Sequence, residues 1–299
     1  GRQIVAMVSE VQQLVEFAPD VVVLADTHVA LLRARLPDAV FVGVRHGLIS
    51  KNTTRFSART VDFYCVTSAA SRDWYIAHKA TPRRDFWMVG YLQMDLLLRD
   101  DGQPLPLDLP TDHKMVLYAP TWNAQLSSAT MLGARVVDLI RGERDNVSVV
   151  IKPHPVSFHQ TPQWLETWRK VADSNANVHL VDDAGADVIP WLRAADVLVS
   201  DVSSVVFQYL ALDRPVVLIS NPDRFASPHF DQRGIEWLWR DLGEELHDVK
   251  NLAAAVGRAL DDPGAGAARR AHYRHELFGE LIDGQTAERL ADKITELEL

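Results

Sequence analysis

The sequence predicts an α/β protein of two Rossmann-like domains, each a doubly wound parallel sheet, facing a central cleft. Short runs rich in valine, isoleucine and leucine alternate with helical patterns along the chain, which is typical of parallel strands buried on both faces. One segment, residues 99–114, holds three prolines, a glycine and many charged residues; it interrupts the alternation and is interpreted as an interdomain linker. The length of 299 residues suits two domains of about 150 residues.

The first half of the chain opens with "GRQIVAMVSEVQQLVEF", which is interpreted as a helix, and a first strand of the domain would precede residue 1. The apolar runs that follow end in polar and turn-forming residues, as expected for buried strands. Strands are predicted within 20–26, 39–47, 61–68 and 85–91, and helices over 28–36 and 69–80. Residues 1–105 are therefore assigned to an N-terminal Rossmann-like domain.

The alternation restarts after the linker and assigns residues 106–280 to a second Rossmann-like domain. Strands are predicted within 114–122, 147–155, 177–183, 196–201 and 214–220, and helices over 132–143, 161–173, 187–195, 203–212, 249–262 and 286–299. The last of these helices lies in 281–299, a C-terminal segment that could cross back to the N-terminal domain.

The composition narrows the classes of function. The net charge of −9 argues against a broad nucleic-acid-binding face, because such a face is basic. The only cysteine, Cys65, lies in the apolar run "DFYCVT", so we expect a buried thiol and no disulfide. No apolar run approaches the roughly 20 residues of a bilayer span, and no signal peptide is recognised. A cytoplasmic protein is therefore expected.

A hydrophilic turn, "SDVSS" at 200–204, separates a predicted strand from a helix that begins at once. Ser203 and Ser204 could cap this helix, because serine oxygens accept hydrogen bonds from the free N–H groups of a first turn. The same N–H groups and the helix dipole attract anions, and small hydroxylated residues let a phosphate come close. This stretch alone leaves both interpretations open.

Polar residues follow other predicted strands too, at the edge where ligands of such folds bind. In "VVIKPHP", Lys152 supplies a point charge and His154 a hydrogen bond or a proton, while two prolines stiffen the loop. Thr121 holds a similar position in "YAPTW". In the first half, His46 follows "AVFVGV" and Gly47 permits a turn, so His46 is a candidate general base. A solvated surface histidine is the alternative for both imidazoles.

The motifs "RHG", "VLYAPTW", "IKPHP", "VSDVSSVVFQYLALDRPVVLI" and "DGQTAERLADKI", in this order, resemble the CDP-glycerol glycerophosphotransferase family, which includes teichoic-acid primases and polymerases and capsule polymerases. The resemblance implies a GT-B-like architecture, with the acceptor on the N-terminal domain and the nucleotide donor on the C-terminal domain. It also implies a transferase that moves a polyol phosphate from a CDP-linked donor to a hydroxyl of a cell-wall, capsule or other surface glycan, releasing CMP.

The resemblance assigns roles to individual residues. His46 matches the base that acts on the acceptor hydroxyl, and His154 matches the histidine at the donor pyrophosphate, so these two are the predicted catalytic residues. Ser203 and Ser204 match hydroxyls at the donor phosphates, and Asp201 is expected to fix their loop. The residues predicted to bind substrate are Arg45, Gly47, Thr121, Lys152, Asp201, Ser203, Ser204, Gln208 and Arg289.

The chain departs from the family pattern at three places. The sequence "RHGLI" stands where the family often has Trp-His-Gly-Thr-Pro, Gln208 stands where an acid is usual, and Asn123 stands where an arginine often follows "APTW". The first two changes touch the expected acceptor and donor sides. They leave open a CDP- or CMP-activated donor other than CDP-glycerol, and Arg45 could meet an acidic sugar or a phosphate.

Two other functions fit the same pattern. A GT-B glycosyltransferase would bind a nucleotide sugar at a similar diphosphate site, and a two-lobed nucleotide-binding protein or an inactive relative would have the fold without the reaction. No metal-ligand cluster stands out, so we expect no cofactor beyond the CDP-linked substrate and no metal.

Because the acceptors of the family are lipid-linked, peripheral contact with the inner face of the membrane is expected. The sequence assigns neither the acceptor nor the oligomeric state.

Overall fold

The structure, a computed structural model, describes residues 10–25, 29–44, 58–99, 105 and 107–298. The chain divides into two compact units, of which unit 1 comprises Gly1–Asp95 and Glu276–Leu299, and unit 2 comprises Leu96–His275. Each unit contains its own parallel sheet.

Within the described ranges the strands are β1 (Val21–Leu24), β2 (Val40–Gly43), β3 (Phe63–Val66), β4 (Asp85–Met88), β5 (Lys114–Ala119), β6 (Val147–Ile151), β7 (Val178–Leu180), β8 (Val197–Ser200), β9 (Val216–Ile219) and β10 (Glu244–Leu246). The α-helices are α1 (Val11–Phe17), α2 (Val29–Arg35), α3 (Ala69–Ala77), α4 (Leu92–Leu98), α5 (Ala129–Leu132), α6 (Val136–Arg141), α7 (Ser157–Gln160), α8 (Pro162–Asp173), α9 (Ile189–Ala194), α10 (Val205–Leu210), α11 (Ile235–Leu238), α12 (Leu252–Asp261), α13 (Ala267–Phe278) and α14 (Thr286–Thr295). None of these helices has the length and apolarity that a bilayer span requires.

The sheet of unit 1 has the order β1-β2-β3-β4, with every neighbouring pair parallel. Alternate side chains of these strands point to opposite faces, and both faces are apolar. One face packs Phe41 and Tyr64 against side chains of α2 and α3 such as Tyr75. The opposite face packs Val42 and Trp87 with apolar side chains of α14. Burial on both faces explains why these strands appear in the sequence as continuous apolar runs.

Helix α14 is attached to unit 1 by polar contacts as well as apolar ones. Asp95 is 5% exposed, and its two carboxylate oxygens accept the N–H groups of Thr286 at 2.9 Å and of Ala287 at 2.7 Å. These N–H groups belong to the first turn of the helix, where no intrahelical acceptor exists. On the inner face, Leu290 joins the core of the sheet. A residue almost two hundred positions away in the chain therefore caps the C-terminal helix.

The sheet of unit 2 has the order β10-β9-β8-β5-β6-β7, and its pairs are parallel. This is a doubly wound order, since the chain moves outward from β5 in one direction through β7 and then returns to β8 and moves the other way. The central strands are fully buried along most of their length. The strand order therefore reverses between β5 and β8, and a crevice for ligands is expected at the carboxyl ends of these two strands.

The helix predicted over 132–143 is wrong as one continuous element. The structure has α5 to Leu132, a 3₁₀ turn at Gly133–Arg135, and then α6. Gly133 has a φ of +52°, in the region that side-chain-bearing residues rarely adopt. The glycine therefore redirects the chain inside a segment whose apolar spacing is helical throughout.

Candidate functional site

Most of the residues predicted to contact a donor meet at the carboxyl edge of the unit 2 sheet. Thr121 follows β5, Lys152 and His154 follow β6, and the turn 201–204 follows β8. These three strands are neighbours in the order β8-β5-β6. Neighbouring strands lie about 4.8 Å apart, so the three strand ends span about 10 Å. The group lies at the reversal of strand order, where doubly wound folds bind their ligands.

Asp201 joins two of the loops at this edge. The carboxylate is fully buried, and Oδ1 accepts the N–H groups of Thr121 at 2.9 Å and of Val202 at 2.7 Å. Oδ2 accepts the N–H of Ser128 at 2.8 Å and its hydroxyl at 2.9 Å. Burial raises the pKa of Asp201, and the four hydrogen bonds act against that rise. All four bonds lie within the protein, which is the geometry of a residue that positions loops.

Ser203 and Ser204 lie at the start of α10, and the side chain of Ser204 does not cap it. Ser204 is the N-cap residue, but its φ and ψ are helical and its side chain makes no capping hydrogen bond. The capping interpretation is therefore wrong for this side chain. The helical hydrogen bonds begin with the N–H groups of Val206 and Phe207, which donate to the backbone oxygens of Ser203 and Ser204. The amides ahead of Val206 precede the ladder of this helix, as at any helix N-terminus.

Lys152 is an unusually buried cation. Its side chain is 4% exposed, and its Nζ donates to the backbone oxygen of Pro153 at the long distance of 3.5 Å. Burial lowers the pKa of Lys152, while the nearby carboxylates of Asp183 and Asp187 act in the opposite direction. A lysine at a strand end with so weak a hydrogen bond is well suited to a phosphate oxygen.

A backbone hydrogen bond fixes which ring nitrogen of His154 acts as the acceptor. Its Nδ1 accepts the N–H of Val156 at 3.2 Å, and its backbone oxygen accepts the N–H of Ser157 at 2.8 Å. An imidazole whose Nδ1 accepts carries its proton on Nε2 when neutral. The loop therefore assigns the donor role to Nε2.

Two residues that the sequence patterns did not single out support these loops. Asn221, at the end of β9, is 2% exposed, and its Nδ2 donates to the backbone oxygens of Ala124 at 3.2 Å and Ser127 at 2.8 Å. In the sequence, Asn221 directly follows the predicted strand "RPVVLIS", and this position could have marked it as a site residue. Arg240 donates from Nη1 to the backbone oxygen of Asp201 at 2.6 Å. No motif marks Arg240, because it follows the short helix α11 rather than a predicted strand.

The remaining predicted site residues lie elsewhere or outside the described ranges. Gln208 is buried on α10, in the same unit as the strand ends above. Arg289 lies on α14 of unit 1, where Nε donates to the backbone oxygen of Val89 at 2.8 Å and the two Nη atoms pair with Asp283 at 2.7 and 2.9 Å. The Arg289 hydrogen bonds lower the pKa of Asp283 to about 2. Arg45, His46 and Gly47 lie outside the described residues.

The arrangement in unit 2 is chemically suited to an anionic ligand. It combines a lysine cation, an imidazole donor, two serine hydroxyls and the amides of a helix start around one point of strand reversal. Over the ranges that the structure describes, no group of three His, Cys, Asp or Glu side chains is arranged to hold a metal ion.

Comparison with known proteins identifies relatives of this chain. The sequence model described as CDP-glycerol:poly(glycerophosphate) glycerophosphotransferase matches residues 42–296. A curated relative, the teichoic acid glycerol-phosphate transferase of Staphylococcus aureus (strain NCTC 8325 / PS 47), is 22% identical over 205 residues. The match covers 65% of this chain and 48% of the relative, so the chain spans about half the length of the curated relative it matches.

Solved structures with a similar fold include two kinds of enzyme. A variant of the wall teichoic acid polymerase TagF superposes with a TM-score of 0.70 at 17% identity, covering 93% of this chain and 72% of that chain. A UDP-GlcNAc 2-epimerase from Neisseria meningitidis bound to UDP-GlcNAc superposes with a TM-score of 0.64 at 14% identity, covering 96% of this chain and 80% of that one. With the two parallel sheets, these likenesses confirm the predicted fold class.

Proposed function

The chain belongs to the CDP-glycerol:poly(glycerophosphate) glycerophosphotransferase family, and from that membership we propose that it is a transferase acting on a CDP-activated polyol phosphate. The donor is CDP-glycerol in the first instance, the product nucleotide is CMP, and the acceptor is a hydroxyl of a surface glycan of the teichoic-acid or capsule type. The observation that carries the proposal is the meeting of Lys152, His154 and the Ser203–Ser204 turn at the strand reversal of unit 2.

In the proposed reaction, an acceptor oxygen attacks the phosphorus next to the polyol, and the bond from that phosphorus to the oxygen of the CMP phosphate breaks. Negative charge develops on the non-bridging oxygens and on the departing CMP. Lys152 and the Nε2–H of His154 oppose that charge, and the serine hydroxyls donate to the donor phosphates. His46 takes the proton of the acceptor hydroxyl, a role assigned by its family motif. The charge-stabilising groups all come from the protein, so the proposed reaction uses no cofactor.

The acceptor side of the proposal rests on the family alone. Teichoic-acid synthesis is the process named for the curated relative, and the chain spans about half of that protein. We place the enzyme at the inner face of the membrane, in peripheral contact with it, because the acceptors of the family are lipid-linked. Binding of the purified protein to vesicles that carry a lipid-linked glycerol phosphate primer, and absence of binding to the same vesicles without the primer, would separate acceptor recognition from contact with lipid.

The proposal is tested by measuring CMP release from CDP-glycerol, CDP-ribitol and UDP-GlcNAc in the presence of a glycerol phosphate primer. Turnover of a CDP-polyol, and not of UDP-GlcNAc, is expected. The variant His154→Ala should lose about 10²-fold or more in kcat/KM, because one hydrogen bond to developing charge is removed. The matched control is His159→Ala, since His159 is exposed on α7 and only five positions away. Turnover of UDP-GlcNAc alone would replace the proposal with a nucleotide-sugar reaction, which the fold of the epimerase relative also accommodates.

A further inference from the structure

A buried arginine contacts the residue that opens the Ser203–Ser204 turn. Arg240, in the 3₁₀ turn Arg240–Leu242, is 8% exposed, and its Nη1 donates to the backbone oxygen of Asp201 at 2.6 Å. The carboxylate of Asp201 accepts hydrogen bonds from the loop after β5. The backbone carbonyl of Asp201 is the separate group through which Arg240 contacts the turn. The guanidinium therefore holds the backbone at the point where the chain leaves β8.

The guanidinium is itself fixed on its other sides. Its Nε donates to Oε1 of Glu245 at 3.0 Å and its Nη2 donates to Oγ of Ser220 at 3.0 Å, while the Ser220 hydroxyl also bonds Glu245. Burial works against ionisation of Glu245, but its bonds with Ser220 and Arg240 outweigh this effect and keep its pKa below the usual value. Ser220, which follows β9, and Glu245 of β10 thus fix the plane of the Arg240 guanidinium. In this plane Nη1 points toward the end of β8.

Arg240 and the turn also border a common cavity. A cavity of about 10 Å³, room for about one water molecule, is lined by both Ser203 and Arg240, together with Asp201 and Trp239. The face of Trp237 lies 5.6 Å from the guanidinium carbon. Removal of the guanidinium would enlarge this space directly behind the first serine of the turn.

We propose that Arg240 is a positioning residue of the donor site, which sets the direction of the Ser203 and Ser204 hydroxyls by holding the carbonyl of Asp201. The identity of the ligand in this inference rests on the proposed function, whereas the contacts of Arg240 with Asp201, Ser220 and Glu245 do not. Lysine would retain the charge but not the fork, because one ammonium group cannot reach the carbonyl, Ser220 and Glu245 in the same fixed plane.

The test compares Arg240→Met and Arg240→Lys with a matched control, Arg258→Met. Arg258 pairs with Glu244, the neighbouring residue of Glu245 on β10, but this pair is exposed and does not reach Asp201. In Arg240→Met, the KM for CDP-glycerol and the Kd for CMP should rise by about 10- to 100-fold, the loss expected for a hydrogen bond to a charged donor. Arg240→Lys should recover part of this loss. Arg258→Met should stay within about twofold of the wild type.

The split between KM and kcat separates positioning from general damage to the fold. A purely structural defect would lower the active fraction, and so the apparent kcat, at an unchanged KM. Unchanged KM and Kd values in a folded Arg240→Met protein would overturn the inference. If that variant does not fold, Ser220→Ala removes a single bond to the guanidinium, and the same two constants should rise by about 2- to 10-fold. Unchanged constants in Ser220→Ala would equally overturn it.

A readout without ligand keeps this inference separate from the proposed function. Amide hydrogen exchange in residues 202–206 should be faster in Arg240→Met than in the wild type, and unchanged in Arg258→Met. Equal exchange in all three proteins would contradict the positioning role. A wild-type protein that neither binds CMP nor turns over CDP-glycerol would contradict the proposed function, and the exchange result would still decide whether Arg240 holds the turn.

Discussion

Asp201 shows how one buried carboxylate can define the geometry of a candidate site through hydrogen bonds within the protein. Each of its two oxygens accepts two hydrogen bonds, from Thr121 and Val202 on one side and from the amide and hydroxyl of Ser128 on the other. A buried charge is tolerated only when it is fully hydrogen-bonded, and here every partner is a backbone amide or a hydroxyl. The residue thereby joins the loop after β5 to the loop after β8 at the reversal of strand order.

Replacement of Asp201 by asparagine should destabilise the protein even though the shape is conserved. An amide nitrogen at either position would face a donor, which leaves a buried N–H group without an acceptor and costs about 1–3 kcal/mol. Urea unfolding at neutral pH measures this loss. Asp248→Asn is the control, because Asp248 also accepts a backbone N–H, from Lys250 at 3.0 Å, but its side chain is 55% exposed. Equal midpoints for wild type and Asp201→Asn would contradict the assigned role of the carboxylate.

At the scale of single residues, the sequence was informative where chemistry follows a regular element. Thr121, Lys152, His154 and Asp201 each come directly after an apolar run, so the edge that they share follows from the parallel fold. Arg240 does not follow a predicted strand, so the sequence pattern does not single it out. Its contact with Asp201 depends on how the segment of short helical turns between β9 and β10 folds back, which neither spacing nor residue type specifies.

At the scale of elements, the C-terminal helix shows how distant parts of the chain complete one another. The first turn of α14 has no capping side chain of its own, and the carboxylate of Asp95 accepts its N–H groups instead. A carboxylate at a helix N-terminus also interacts favourably with the helix dipole. The sequence could predict the helix from its apolar spacing, but not the identity of a cap contributed by α4.

Removal of this cap should weaken the attachment of α14. Asp95→Ala is expected to lower the free energy of unfolding by about 0.5–2 kcal/mol, the usual range for the loss of an N-cap. Amide exchange in 286–295 should become faster than in the rest of unit 1. The control is Asp292→Ala, because Asp292 lies on the exposed face of the same helix. If both variants unfold at the wild-type urea concentration, Asp95 does not act as the cap.

Strand β10 was not predicted, and its residues explain why. The strand is the three-residue sequence Glu244–Leu246, and two acidic side chains do not form an apolar run. Glu244 pairs with Arg258 and Glu245 with Arg240, so their charges are balanced by tertiary contacts. Gly243, directly before the strand, comes so close to β9 that an added Cβ would lie 2.3 Å from the backbone oxygen of Val216. Charge pairing and close backbone approach are both invisible to hydrophobic periodicity.

At the scale of the whole molecule, the alternation of apolar runs and helices was enough to predict two parallel α/β sheets. Fully buried strands lack the polar alternation of exposed sheets, which makes this class recognisable from sequence. The order of the strands in each sheet could not be predicted in this way. Parallel neighbours are joined through crossover helices, and the apolar pattern does not specify which strands pair. The reversal between β5 and β8, which brings the predicted donor-side residues together, is therefore a result of the structure.

The proposed assignment of the donor to unit 2 makes a prediction for the whole chain. CMP at about ten times its Kd should slow amide exchange about tenfold where opening requires release of the ligand. Slowing is expected in the loops 120–128, 152–157 and 201–206 of unit 2, and not in 286–295 of unit 1, because the candidate phosphate contacts lie on the unit 2 sheet edge. Cytidine at the same concentration is the control. It lacks the phosphate that Lys152, His154 and the serine turn are proposed to bind, so it should give little protection. Protection by CMP confined to unit 1, or equal protection by cytidine, would contradict a phosphate site at the reversal of strand order.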